Sequence, residues 1–176
     1  MLPDHVLPSA YVSRGQALDT LARILFEKTT GEPIAKRYIE QLYTFSDIIN
    51  HQAITIGYYG LMQYEPQKQW NWVALDRIDP SHRDFSIISY ALQRLRWKVE
   101  YTNVVYSLLP EEFTLRELQE TYEAILGRPL DKRNFRKKLL NLHVIESTGK
   151  RIKTGKTRPA ATFRFKKRQL TFVEIV

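Results

Sequence analysis

The stretch FTLRELQETYEAILGRPLDKRNFRKKLLNL, residues 113–142, decides how this chain reads. Thr114 and Glu117 form a Thr-x-x-Glu capping box, and Phe113 and Leu118 occupy the two positions at which an apolar pair staples a helix start. Gly127 followed by Pro129 stops that helix after three turns. Leu115, Leu118, Tyr122, Ile125 and Leu126 make its expected buried face. Asp131 then supplies an N-cap for a second helix running to about Leu142, and its carboxylate suits the positive end of the helix. Phe135, Leu139 and Leu142 give this second helix an apolar stripe, whereas Lys132, Arg133, Arg136 and Lys137 fall largely elsewhere on its surface.

Reading outward from that pair, Val144 to Glu146 is expected to form a short strand and Ser147 to Pro159 a polar basic loop. Ala160 to Phe165 is expected to be a second strand, with Phe163 and Phe165 alternating against Arg164. Helix, helix, strand, basic loop, strand is the order of a winged helix-turn-helix. The charge agrees with that order. Between Arg128 and Arg168 lie 15 Lys and Arg against only Asp131 and Glu146, a surplus of +13, while the rest of the chain carries −5. A mildly acidic body with a compact basic end is the footprint of a module that meets nucleic acid, the alternative being a solvated basic tail. In a helix-turn-helix the second helix reaches base edges with its first turns, which requires long donors there. Lys132, Arg133, Arg136 and Lys137 meet that need, arginine being suited to specificity because its fork can take guanine O6 and N7 together. Lys138, Lys150, Arg151, Lys153, Lys156 and Arg158 are expected at phosphates or in the minor groove, where they set affinity and register.

The front of the chain is expected to be α+β. Leu18, Leu21, Ala22, Leu25 and Phe26 mark an amphipathic helix over Gly15 to Thr29, closed by Gly31 and Pro33. Tyr38 to Phe45, Ala53 to Met62 and Trp70 to Leu75 read as strands. A long helix from Asp84 to about Glu100 carries Phe85, Ile88, Leu92, Leu95 and Val99 on one stripe, with Ser81 and Asp84 as its expected capping box. Trp70, Trp72 and Trp97 suit either core packing or an effector pocket. The chain has no cysteine, and His5, His51, His82 and His143 lack metal-ligand spacing, so no metal site or cofactor is expected. No window approaches the apolar length of a membrane span and the first residues lack a signal-peptide pattern, so a cytoplasmic protein is expected.

From Leu109 to Phe165 the chain resembles the C-terminal winged-helix domain of the Nudix-related transcriptional regulators, through LLPEEFTLRELQ (108–119), ILGRPLDKRNFRKKL (125–139) and the Gly155 to Pro159 wing. Leu7 to Leu42 is similar to that family's Nudix-box region. The resemblance implies a partial Nudix-like α/β/α domain over 1–103, serving as effector sensor and dimerisation surface, followed by a winged helix-turn-helix over 104–176. The family's box places glutamates on one helix face to hold a magnesium ion against a diphosphate. In the register anchored on Gly31, Gln16 stands at the first of those glutamates, Leu25 at the next, and Lys28 and Thr29 at the Glu-Glu pair, with Glu27 one position early. With the carboxylates replaced, no Nudix hydrolysis is expected. The family's domain has strands before the box, so the sensor half is expected to be incomplete at its start.

These readings together imply a DNA-binding transcriptional regulator, and the resemblance implies that it controls sugar or NAD-related metabolism genes. It is expected to bind double-stranded DNA as a homodimer and to respond to a sugar or nucleotide-sugar effector. The rival from another class is an ADP-ribose hydrolase with an atypical metal site drawn from residues such as Asp19, Glu27, Glu40 and Asp47. An RNA-binding module is disfavoured because stacking aromatics are not evident among the basic residues of 128–158.

Overall fold

Two units, Met1–Ala91 and Leu92–Val176, divide the chain, with the division falling inside a long helix. The computed structural model describes residues 7–33, 38–46, 54–63, 65, 73–153 and 159–176. The architecture is α+β, with a two-stranded sheet in the first unit and a three-stranded sheet in the second.

In the first unit, α1 spans Leu18–Thr30 and ends at Gly31, whose left-handed conformation (φ 69°) lets its N–H donate to the Glu27 carbonyl. Gly15 stands in a turn before α1, so the helix begins later than the apolar spacing suggests. Strands β1 (Tyr38–Ser46) and β2 (Ile54–Leu61) pair antiparallel, with a bulge at Leu42. A bulge turns two successive residues toward one side. That is how Leu42 and Phe45, three positions apart, both enter a core shared with Ile87, against which Tyr59, Tyr90 and Ala91 pack. Trp70 and Trp72 lie outside the described residues, and Leu75 opens a short 3-10 turn, Leu75–Arg77, instead of closing a strand. Helix α2 spans Phe85–Tyr101. The expected Ser81 and Asp84 box is replaced by other bonds: the Ser81 N–H and hydroxyl both donate to Asp79 Oδ1 at 2.7 Å. Asp84, almost fully buried, accepts the Leu7 N–H at 2.9 Å.

The second unit is built around the punctuation noted in the sequence. Strand β3 (Phe113–Thr114) leads into α3 (Leu115–Leu126), and both halves of the capping box form: Thr114 Oγ1 accepts the Glu117 N–H, while Glu117 Oε2 accepts the Thr114 N–H at 2.7 Å. Phe113 and Leu118, the staple pair, are wholly buried. Gly127 at φ 68° closes α3, and α4 runs over Lys132–Asn141 from its cap at Asp131. Glu123 Oε1 holds the turn between the helices by accepting the Leu130 N–H at 2.8 Å and the Gln119 amide at 2.9 Å. Tyr122 of α3 meets Phe135 of α4 edge-on, with ring centroids 5.4 Å apart. Strands β4 (Ile145–Ile152) and β5 (Ala160–Phe165) complete a sheet of order β3-β5-β4.

The expected loop over Ser147 to Pro159 is shorter than the sequence suggests, because β4 continues to Ile152, which pairs with Ala160. Thr148 and Thr162 place their hydroxyls against each other across the ladder, and threonine favours a pleated surface of this kind. Gly149, at φ 75°, absorbs the register shift between Ser147 and Arg151. After β5 the chain is tied back onto its own unit: Arg168 donates to the carbonyls of Tyr106, Leu109 and Pro110, and Ile175 is buried.

Candidate nucleic-acid interface

The α4 surface follows from what it buries. Phe135 and Leu139 are the buried residues of the helix. At about 3.6 residues per turn, the positions opposite them are Arg133 and Lys137, and both are exposed, as is Lys132 in the first turn. Asp131 fixes that turn, its Oδ1 accepting the Asn134 N–H at 2.7 Å.

Arg136 and Lys138 lie at the two borders of the buried stripe and are half-buried. The Arg136 Nε is covered and has no acceptor among the described residues, and Lys138 sits 3.7 Å from Glu174. On the wing, Arg151 and Lys153 are exposed, whereas Lys150 Nζ lies 2.7 Å from Glu112 Oε1, and Lys156 and Arg158 fall outside the described residues. Among the described residues, no hydrogen bond or ion pair engages the side chain of Lys132, Arg133, Lys137, Arg151 or Lys153. Their cations therefore have no ion-pair partner among the described residues, which suits them to a phosphate backbone.

Charge counting misjudged two kinds of residue. Arg164 and Arg168 add to the basic total, yet Arg164 is paired with Glu146 at 2.7 Å and Arg168 braces three carbonyls. Asn134 and Leu140, which carry no charge, are exposed on α4. The signal for them is helical phase relative to Phe135 and Leu139, not composition.

In the first unit, Gln16 is exposed with its Oε1 accepting the Ser13 N–H at 3.2 Å, Leu25 is half-buried on α1, and Lys28 and Thr29 are exposed near its end. Glu27 is exposed on the same helix. Of the carboxylates considered for an atypical metal site, Asp19 accepts the Tyr58 hydroxyl at 2.6 Å, and Glu40 accepts the hydroxyls of Tyr38 and Tyr59 at 2.5 and 2.6 Å. Burial and the Asp19 hydrogen bond push the Tyr58 pKa up to about 12. Asp47 lies outside the described residues.

A capped helix pair, an antiparallel wing and a cationic outward face on the second helix define a winged-helix regulator of transcription. Residues 105–165 match the family model of the NrtR DNA-binding winged helix domain. The ADPR responsive transcriptional repressor NtrR of Acinetobacter baylyi is 32% identical, over 90% of this chain and 68% of that protein. The crystal structure of Shewanella oneidensis NrtR complexed with a 27mer DNA superposes with a TM-score of 0.73 at 24% identity, covering 90% of this chain and 78% of that one. A MutT/nudix family protein from Enterococcus faecalis superposes at 0.65 and 19% identity, over 89% of this chain and 73% of that one. These last two likenesses concern the fold. The chain belongs to the NrtR family, the Nudix-related transcriptional regulators, and is a regulator with a Nudix-like sensing portion and a winged helix. None of the described helices is long and apolar enough to cross a membrane.

Proposed function

We propose that the chain represses transcription by inserting α4 into the major groove of duplex DNA. Lys132, Arg133, Arg136 and Lys137 face the base edges and their flanking phosphates, while Lys138, Lys150, Arg151, Lys153, Lys156 and Arg158 meet the backbone. The observation that carries this reading is the phase of α4, which buries Phe135 and Leu139 and turns Arg133 and Lys137 outward, their side chains without a partner among the described residues. Labour is divided between a sensor over 1–103 and a DNA-binding portion over 104–176. The effector is ADP-ribose or a related nucleotide sugar, a reading supported by the name of the Acinetobacter relative. Genes of sugar or NAD-related metabolism are the regulated class.

The sensor binds its effector without hydrolysing it, because Gln16, Leu25, Lys28 and Thr29 stand where the family's box has carboxylates. Two neutral polar groups, an aliphatic chain and an ammonium cannot neutralise a divalent ion. The chain acts in the cytoplasm as a homodimer, which lets two α4 helices meet half-sites one helical turn apart.

The test combines fluorescence anisotropy on a labelled random-sequence duplex with a hydrolysis assay. Binding should weaken steeply with salt, added ADP-ribose should change the affinity, and no AMP should form from ADP-ribose with magnesium. Salt-insensitive binding would remove the DNA reading, and magnesium-dependent AMP release would remove the inactive-sensor reading.

A further inference from the structure

Arg133 and Lys137 do not have the outward face of α4 to themselves. At about 3.6 residues per turn, Asn134 and Leu140 flank them on the side away from Phe135 and Leu139, and both are exposed. Leu140 leaves 45% of its surface in water, on a helix whose other outward residues are cations and asparagines. Asn134 is the third residue of α4, in the turn from which a groove-entering helix reaches bases. Its backbone is pinned by the Asp131 cap at 2.7 Å, while no hydrogen bond engages its side-chain amide among the described residues.

Resting on the reading of α4 as the groove-entering helix, we infer that Asn134 and Leu140 are specificity-determining residues, Asn134 for an adenine and Leu140 for the methyl group of a thymine. The chemistry is complementary. A carboxamide carries one acceptor and one donor side by side, so Oδ1 accepts from adenine N6 while Nδ2 donates to N7. No other base edge in the major groove offers that pair. Thymine alone presents an apolar group there, and an exposed leucine loses unfavourable contact with water by covering it. The cations of α4 supply attraction to any sequence, so discrimination depends on such groups. The half-site is therefore expected to include an A·T pair read through adenine and another read through the thymine methyl, besides any guanine taken by Arg133.

Selection from a pool of randomised duplexes with wild type, Asn134→Ala, Asn134→Gln and Leu140→Ala tests this. Asn134→Ala should lower the preference for adenine at one enriched position by roughly 5- to 150-fold, and Asn134→Gln should recover part of it. Replacing thymine by uracil at the corresponding position of the selected duplex should weaken wild-type binding and leave Leu140→Ala unaffected. This comparison includes a wild-type measurement that requires no variant to fold. If both alanine variants select the wild-type motif, or if wild type does not distinguish thymine from uracil at any position, the assignment is wrong while the α4 reading stands. A wild-type chain that binds no duplex would overturn both.

Discussion

Replacing Asp131 separates two roles that one side chain combines. Its Oδ1 accepts the Asn134 N–H at 2.7 Å and so satisfies one donor that the start of α4 leaves open. Asp131→Ala removes that acceptor, at a cost of about 1 kcal/mol, to which the lost favourable charge at the helix terminus adds a few tenths. For a unit of this size about 1 kcal/mol corresponds to roughly 4–8 °C in Tm. Asp131→Asn keeps an acceptor at the cap and should melt close to wild type. Both variants remove a negative charge next to Lys132 and Arg133, so both should bind random-sequence duplex more tightly at low salt. Thermal unfolding followed by circular dichroism, paired with anisotropy titrations, reads the two effects apart. Equal melting of the alanine and asparagine variants would refute the cap as the source of stability. Weaker duplex binding by Asp131→Asn would refute the placement of that carboxylate beside the DNA.

Other perturbations test the same unit. The Tyr122 hydroxyl is buried without a partner among the described residues, and burial alone pushes its pKa up, so Tyr122→Phe should raise stability by about 1 kcal/mol in denaturant titration. The Leu130 N–H and the Gln119 amide hold the Glu123 carboxyl below its ordinary value of 4.5. Its contribution is complete above that value and is lost as pH falls through the lower folded one, so acid should destabilise wild type more than Glu123→Gln in melting curves recorded below pH 4.5. Arg168→Ala strips three carbonyls of their donor and should lower stability by roughly 1–2 kcal/mol, with Arg168→Lys recovering only part because an ammonium cannot match the fork.

The helix pair was legible because its boundaries are encoded locally. Thr114, Glu117, Gly127 and Asp131 each satisfy an open backbone group within a turn of themselves, so sequence spacing alone identifies them. The longer reach of β4 was not legible, since Ser147 to Arg151 are polar, basic or glycine, and it is the pairing of Arg151 and Ile152 with Ala161 and Ala160 that extends the strand. Ser81 failed as a cap for a similar reason: Asp84 is drawn to the Leu7 N–H, a partner 77 residues away. In the candidate interface, charge located the helix but not its phase, and so it overlooked Asn134 and Leu140 while counting Arg168, whose guanidinium is engaged by backbone carbonyls.

The central claim, that α4 presents Arg133 and Lys137 to a phosphate-lined groove, is tested most directly by the salt dependence of duplex binding. For wild type, log affinity should fall linearly with log salt, and Arg133→Ala and Lys137→Ala should each reduce the slope by about 0.9 if their cations neutralise one phosphate apiece. An unchanged slope in the double variant, with the fold intact, would contradict the account.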